Sequence, residues 1–293
     1  MNYDKIAKNA EIIGADGSKY LKFKLSAKES IISSGPYLVY LKGHIVKGKI
    51  AADSFIRRAF SGQDALLDKY DAIDIKITGG GKKKKLKGGL TPMPPEEKFS
   101  GSIAFGSSII GDILMLKVEP KTTYKIARGA FLASTDNITI TGRWNPIGFI
   151  PFGTGDISGI ITTIENNSEV NGYVWITSSG KIEEHKLYDD NGNLHNIIIR
   201  HGCFLACSGN ADYKIVKLGR SIMATLLTDI GFGIEFTAPK KSSINVWTQS
   251  KDFDDFSKLV GSKIGRTAND TTAVIATGTA ATMGGIFSWL FGA

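Results

Sequence analysis

The chain has 293 residues, of which 42% are hydrophobic and 22% are charged, a balance that allows one large folded domain or two smaller ones. Its 34 glycines and 8 prolines suit many strands joined by tight turns, and its two cysteines are too few for a disulfide framework. The formal net charge of +8 favours acidic partners such as nucleic acid or anionic lipid.

The start of the chain predicts an intracellular protein. Residues 1–8 contain no apolar segment of the kind that directs secretion. Asp4, Glu11 and Asp16 are unlike the acid-poor composition of an arginine-rich transit peptide. We therefore expect an intracellular, reducing compartment.

Alternation of apolar and polar residues predicts a mainly β fold. Four segments show this period of two most clearly, at residues 22–25, 73–77, 137–141 and 243–248. Helical spacing of apolar residues is confined to residues 54–67 and 252–260. The second of these has acidic residues in its first turn, where the helix dipole favours them, so we expect a C-terminal helix there.

The sequence also repeats itself. Residues 126–133 return as residues 199–206, aligned on Gly129 and Gly202, which are 73 positions apart. Two further anchors return at 73 and 72 positions: Asp156-Ile157 with Asp229-Ile230, and Val174-Trp175 with Val246-Trp247. Three anchors that share one spacing predict a tandem repeat.

A first copy of the repeat lies upstream, where residues 32–39 resemble the same element around Gly35. Its spacing to the second copy is longer, and an inserted loop at residues 79–98 would supply nearly all of the excess. We assign Gly35, Gly129 and Gly202 to turns, because glycine adopts backbone conformations that other residues avoid. Each copy is too small to bury its own apolar face, so the copies are expected to pack together.

Several of these motifs resemble the family named for altered inheritance of mitochondria protein 24. They are the Gly-Ala-Phe-Leu-Ala element at 129–133, Phe-Gly-Thr-Gly-Asp at 152–156, Phe-Ser-Gly-Gln-Asp at 60–64 and Val-Trp-Thr-Gln at 246–249. The resemblance covers roughly residues 20–260. It implies a fold similar to that of the tryptophan RNA-binding attenuator protein, with three β-sandwich-like copies in each chain.

The resemblance implies little about activity. The mitochondrial member of the family is associated with organisation of the inner membrane, and the family offers no catalytic motif to carry over. The attenuator protein binds RNA and free tryptophan, but that likeness is one of fold, and fold does not carry function. Two departures from the family pattern, the lysines at 82–87 and the segment at 238–243, both add positive charge.

The predicted architecture is mainly β, with three tandem β-sandwich-like repeats in a pseudo-three-fold arrangement, followed by a C-terminal helix and a tail. The three-repeat domain spans residues 1–250. Its approximate copies are 20–118, 119–190 and 191–250, with the lysine-rich insertion at 79–98 in the first. The helix is expected at 251–265, and residues 266–293 form an uncharged tail of small and apolar residues.

The lysine cluster is the strongest electrostatic feature. Five ammonium groups on a glycine-flanked segment could contact phosphates or anionic lipid headgroups: Lys82, Lys83, Lys84, Lys85 and Lys87. The alternative is a solvated segment that keeps a β protein soluble. No aromatic residue is interleaved with these lysines, which disfavours single-stranded nucleic acid, whose bases stack on rings.

The tail carries no charge from Thr271 to Ala293. Its apolar residues cluster at the end, in the pattern of a short interfacial anchor rather than a full membrane span: Ile286, Phe287, Trp289, Leu290 and Phe291. Two other interpretations stay open, docking of the tail on a protein partner and an unfolded tail.

Few residues suggest chemistry. The four histidines show no metal-ligand spacing; His201, Cys203 and Cys207 would share one face of a strand, but the apolar residues between them favour a packed strand over a metal site. Phosphate-binding, calcium-loop and serine-nucleophile patterns are absent. We therefore expect no enzyme activity, no metal and no cofactor, and the tryptophans Trp175 and Trp247 are predicted to lie in the core.

The sequence thus predicts a non-catalytic scaffold or assembly protein. Its expected partners are an anionic membrane surface or a protein assembly, reached through the tail and the basic segment, and it is expected to form homo-oligomers. A sequence-tolerant RNA- or DNA-binding protein is the alternative. The expected location is intracellular and membrane-associated, and mitochondrial only by analogy with the family.

Overall fold

The computed structural model describes residues 1–15, 18–34, 37–49, 67–73, 99–107, 110–127, 129–144, 160–190, 193–194, 196–218, 232–240 and 242–250. Four predicted features lie outside these residues: the lysine-rich insertion at 79–98, the helix at 251–265, the tail at 266–293 and, apart from Leu67, the helical segment at 54–67. Residues 1–252 belong to one compact unit.

The described residues are mainly β, which confirms the prediction from alternation. The helical elements among them are α1 (Tyr3–Lys8) and a 3-10 turn at His201–Cys203. The strands are β1 (Ala10–Ile13), β2 (Tyr20–Ser26), β3 (Ser30–Ser34), β4 (Leu38–Gly43), β5 (Ile45–Lys49), β6 (Leu67–Ala72), β7 (Phe99–Gly106), β8 (Ile113–Val118), β9 (Thr123–Ile126), β10 (Phe131–Thr135), β11 (Thr139–Trp144), β12 (Ile160–Glu165), β13 (Gly172–Thr177), β14 (Ile182–Asp190), β15 (Asn193–Leu194), β16 (Asn196–Arg200), β17 (Phe204–Ser208), β18 (Asp212–Lys217), β19 (Phe232–Thr237) and β20 (Ser243–Gln249).

The described strands form four sheets, and every ladder between them is antiparallel. The orders are β1-β2-β7-β4, then β5-β6-β3-β10-β13-β8, then β11-β12-β9-β17-β20-β14-β15, and finally β16-β19-β18. Antiparallel strands tolerate one solvated face, which fits the alternating burial of strands such as β2 and β6.

The strands after β1 fall into three successive sets: the first runs from β2 to β7, the second from β8 to β13 and the third from β14 to β20. One pairing scheme occurs in all three sets. In these sets β4 pairs with β7, β10 with β13, and β17 with β20. Each of the three ladders has a register irregularity at the same place, between Leu38 and Tyr40, between Phe131 and Ala133, and between Phe204 and Ala206. The tandem repeat and the pseudo-three-fold arrangement of its copies stay predictions.

Adjacent sets are joined by strand pairing. The first junction pairs β3 with β10, with Ala133 opposite Ser33 and Ser134 opposite Ile32. The second pairs β9 with β17, with Ala206 opposite Ile126. Two of the sheets therefore run from one set into the next.

The core follows these junctions. Trp175 of the second set meets Phe23 of the first edge-on, with ring centroids 4.8 Å apart. Trp247 of the third set lies beside Tyr124 of the second, with ring centroids 5.9 Å apart. Both tryptophans are buried, which confirms the prediction that they belong to the core.

Candidate interaction surfaces

Most of the residues that the sequence singled out for binding lie outside the described part of the chain. This holds for the lysine cluster, for the apolar residues of the tail and for Gly35: Lys82, Lys83, Lys84, Lys85, Lys87, Ile286, Phe287, Trp289, Leu290, Phe291 and Gly35. Gly129 and Gly202 are described. The proposed roles of the lysines and of the tail therefore rest on the sequence.

Gly129 precedes β10 and has a φ of +74°, in the left-handed region that glycine reaches most easily. A Cβ atom there would meet nothing within 4 Å, so the backbone conformation, not crowding, is what favours glycine. Gly202 lies in the 3-10 turn before β17. Its carbonyl accepts a hydrogen bond of 2.8 Å from the Gln249 side-chain amide, which ties this turn to the end of β20.

The described residues hold no group of three or more His, Cys, Asp or Glu side chains that could bind a metal ion. Cys207 is buried in β17, opposite Val246 and Lys125. Burial raises the pKa of its thiol to about 12, although the Lys125 charge acts in the opposite direction. At neutral pH the thiol is protonated, which makes it a poor ligand and a poor nucleophile.

A polar cluster that links distant parts of the chain surrounds Asp136, in the turn after β10. Tyr3 donates its phenol hydrogen to Asp136 Oδ1 at 2.8 Å, and Ser30 donates its hydroxyl to Asp136 Oδ2 at 2.6 Å. The Lys69 ammonium lies 3.2 Å from the same Oδ2 atom. One carboxylate thus joins α1, β3 and β6 of the N-terminal half to the second set.

The electrostatics of this cluster favour the charged form of Asp136. Burial by itself would raise the pKa of the carboxyl, but the hydrogen bonds from Ser30, Tyr3 and Lys69 lower the pKa below its usual value. Burial and the neighbouring carboxylate raise the pKa of Tyr3 to about 12. The cluster is therefore a fixed ion pair with two neutral donors at neutral pH, and every member has a partner.

Helix α1 makes a second hydrogen bond to the second set of strands. Tyr173 of β13 donates its phenol hydrogen to Asp4 Oδ1 at 2.5 Å, and Ile6 of the helix is fully buried. The helix begins at an Asn2 cap, whose side chain accepts a hydrogen bond from the Lys5 backbone amide at 3.1 Å. The periodicity of the sequence does not predict this helix, although Asn2 followed by Asp4 is a recognisable start signal.

Other buried polar side chains join strands as well. The Asn166 amide donates to the carbonyls of Val118 at 2.7 Å and Val170 at 2.8 Å, between β8 and the turn before β13. The Ser33 hydroxyl donates to the Leu132 carbonyl at 2.7 Å, across the first junction. These groups satisfy backbone acceptors, so they stabilise strand connections and are not directed toward solvent.

Exposed apolar side chains lie on several strands at the ends of the described sheets, including Ile12 on β1, Val46 on β5 and Met115 on β8 as well as residues of β4 and β16. β4 stands at one end of the four-stranded sheet, and β16 stands at one end of the three-stranded sheet. Within the described strands, each of them pairs on one side only, β4 with β7 and β16 with β19. Val39 and Leu41 on β4 and Ile198 on β16 are exposed. Such edges are places where another strand can add.

None of the helices in the described segments is both long enough and apolar enough to cross a membrane.

Comparison with known proteins adds a family and a fold. The sequence model of a family described as mitochondrial biogenesis AIM24 matches residues 10–251. Among solved structures, the chain is similar to a Streptococcus pyogenes protein determined by X-ray crystallography, with a TM-score of 0.60 and 16% identity. That match covers 87% of this chain and 98% of the other, and at this identity it shows the fold alone. No curated protein matches the chain.

Proposed function

This chain belongs to the mitochondrial biogenesis AIM24 family, and we propose that it is a non-catalytic scaffold that associates with a membrane or a larger assembly. The non-catalytic part of the proposal rests on the buried polar side chains of the described residues, which hold strands together. Asp136, Asn166 and Ser33 are all engaged in joining strands or sets. A catalytic acid, base or nucleophile must instead reach a substrate.

The membrane part of the proposal rests on two segments of sequence. Five lysines within residues 82–87 would each contribute about 1 kcal/mol near an anionic surface. The uncharged tail ends in four large apolar side chains that could enter the interface: Phe287, Trp289, Leu290 and Phe291. Charge attraction and apolar insertion together are the two signals that stable peripheral binding requires.

Flotation with phosphatidylserine vesicles tests this function. We expect the full chain to float and replacement of the five lysines by glutamine to weaken binding at least about tenfold, because five favourable charge contacts are lost. A matched control removes the same number of charges from exposed positions of the body: Lys8, Lys117, Lys121, Lys217 and Lys240. The control protein should keep most of the binding, since its lysines lie outside the cluster.

A second variant tests the tail. Replacement of four tail residues by serine should abolish flotation at high salt, where charge attraction is screened; the residues are Phe287, Trp289, Leu290 and Phe291. Failure of the full chain to float on anionic vesicles would contradict the membrane proposal. Tight RNA binding that weakens steeply with salt would then favour the nucleic-acid alternative, whose basis is the net charge of +8.

A further inference from the structure

The end of β6 and the start of β7 meet at one corner of the described residues, where β4 ends and β5 begins. The Ile73 backbone amide, just after β6, donates to the His44 carbonyl at 3.0 Å. The His44 amide in turn donates to the Ser100 carbonyl of β7 at 2.9 Å. The connection that contains the lysine cluster therefore leaves and re-enters the fold on either side of His44. We call residues 42–46 together with Ile73 the β4–β5 corner.

The backbone of this corner is held in place on several sides. Gly43 has a φ of +90°, in the left-handed region that favours glycine. A Cβ atom there would lie 2.5 Å from the Ser100 carbonyl oxygen, so glycine lets β4 approach β7 closely. Ile45 is buried in the core, and the Lys28 backbone amide donates to the Ala72 carbonyl at 2.8 Å. Side chains that project from the corner are thus fixed in position.

Two apolar side chains project from the corner into solvent. Val46 is 50% exposed and Ile73 is 44% exposed. Val46 lies opposite Asp71 in the ladder of β5 with β6, and Ile73 follows Asp71 by two residues. Alternate residues of a strand share a face, so Val46 and Ile73 lie on the same face of this sheet. Neighbouring exposed apolar side chains rimmed by polar ones mark interaction sites.

The charges around these two side chains suit an anionic partner. Lys28 and Lys42 are exposed, and neither forms an ion pair within the part of the chain that the structure describes. Asp71 lies 3.5 Å from the Lys69 ammonium, which offsets the charge of this carboxylate. The unpaired charges beside Val46 are therefore positive.

The lysine cluster is tethered close to this corner. Lys82 is nine positions beyond Ile73, and nine residues span at most about 32 Å. An anionic surface that binds the cluster is therefore within reach of the corner. The corner has the two kinds of group that such a surface binds, which are apolar side chains for the boundary below the headgroups and ammonium groups for the phosphates.

We propose that the β4–β5 corner lies against an anionic lipid surface, with Val46 and Ile73 among the headgroups and Lys28 and Lys42 on their phosphates. The inference rests on the membrane function proposed above and deepens it, because it gives the described body one orientation on the bilayer. In this orientation the corner and the lysine cluster bind the same leaflet.

Flotation of the full chain with phosphatidylserine vesicles tests the orientation. The double variant Val46→Glu/Ile73→Glu should bind at least about tenfold more weakly than the wild type, because two carboxylates replace apolar contacts at an anionic surface. The matched control is Val170→Glu/Ile12→Glu, whose side chains have the same exposures of 50% and 44%. Circular dichroism spectra like that of the wild type would show that both variants are folded.

The control should bind within about twofold of the wild type, because its charges lie beyond a Debye length of about 10 Å from the corner. Val170 precedes β13, which is four strands from β5, and Ile12 is on β1, which is three strands from β4. Neighbouring strands are about 4.8 Å apart.

A fluorescent probe at the corner gives a direct measurement. In a Cys203→Ser background, Val46→Cys labelled with an environment-sensitive fluorophore should brighten when vesicles are added, because the probe enters an apolar boundary. The same label at Val170→Cys should not change. Cys207 is buried and its thiol is protonated, so it stays unlabelled.

Three results would overturn the inference and leave the membrane function intact. They are wild-type binding by Val46→Glu/Ile73→Glu, which would leave the corner to a protein partner, equal losses in both double variants, and a floated protein whose Val46 probe does not brighten. A wild type that fails to float would instead refute the membrane function, and the orientation with it.

Discussion

Asp136 shows how a single carboxylate holds separate parts of the chain together. Its partners Tyr3, Ser30 and Lys69 come from three different elements. We expect Asp136→Asn to lower the free energy of unfolding by about 2–3 kcal/mol at neutral pH, because hydrogen bonds to a charged group are lost and Lys69 keeps only its longer ion pair with Asp71. Urea denaturation measures this difference.

The pH dependence of the same variant follows from the lowered pKa of Asp136. A carboxyl whose pKa is lower in the folded state stabilises the fold above its unfolded pKa of about 3.9, and this stabilisation is lost as the pH falls through the folded value. The difference in the free energy of unfolding between the wild type and Asp136→Asn should therefore become smaller below pH ~4. Glu169→Gln, at an exposed ion pair with Lys121, should change little at either pH. An unchanged gap in acid would contradict this account.

At the scale of elements, α1 contacts strands of both the first and the second set and so joins them. Its Ile6 side chain is fully buried, so Ile6→Ala should lower the free energy of unfolding by about 2–4 kcal/mol through lost burial and a cavity. Ile12→Ala, the same change at an exposed position of β1, should cost much less. Equal losses measured by urea denaturation would show that α1 is not packed as described.

The elements also show what local sequence could and could not predict. Alternation located β2 and β20, because each has one face in the core and one toward solvent. The six-residue helix α1 gave too few turns for an apolar stripe. The pairing of β8 with β13 joins residues that lie far apart in the sequence, and no local pattern reports such a contact.

For the candidate surfaces too, local sequence predicted some features and not others. Charge and apolarity pointed to the lysine segment and the tail, since both are properties of composition. The β4 and β16 edges went unnoticed, because an apolar run such as 197–199 indicates a strand but not whether its edge is covered. Within the described strands, β16 with Ile198 pairs only with β19, whereas β3 with Ile32 has a partner on each side.

For the whole molecule, shared sheets predict that the sets unfold together. Two of the four tryptophans, Trp175 and Trp247, report on the second and third sets. In single-tryptophan variants that keep either one, the urea transitions measured by fluorescence and by circular dichroism should coincide, because β9 and β17 join the sets. Distinct transitions for the two probes would mean that the junctions do not couple the sets.

The spacing between strands has a last consequence. Twenty-six residues, including the lysine cluster, separate β6 from β7, whereas six residues separate β12 from β13 and five separate β19 from β20. The longest of these three connections is therefore also the one that carries the lysines. The membrane contact proposed above depends on a segment of the first set that has no counterpart of similar length in the second and third sets.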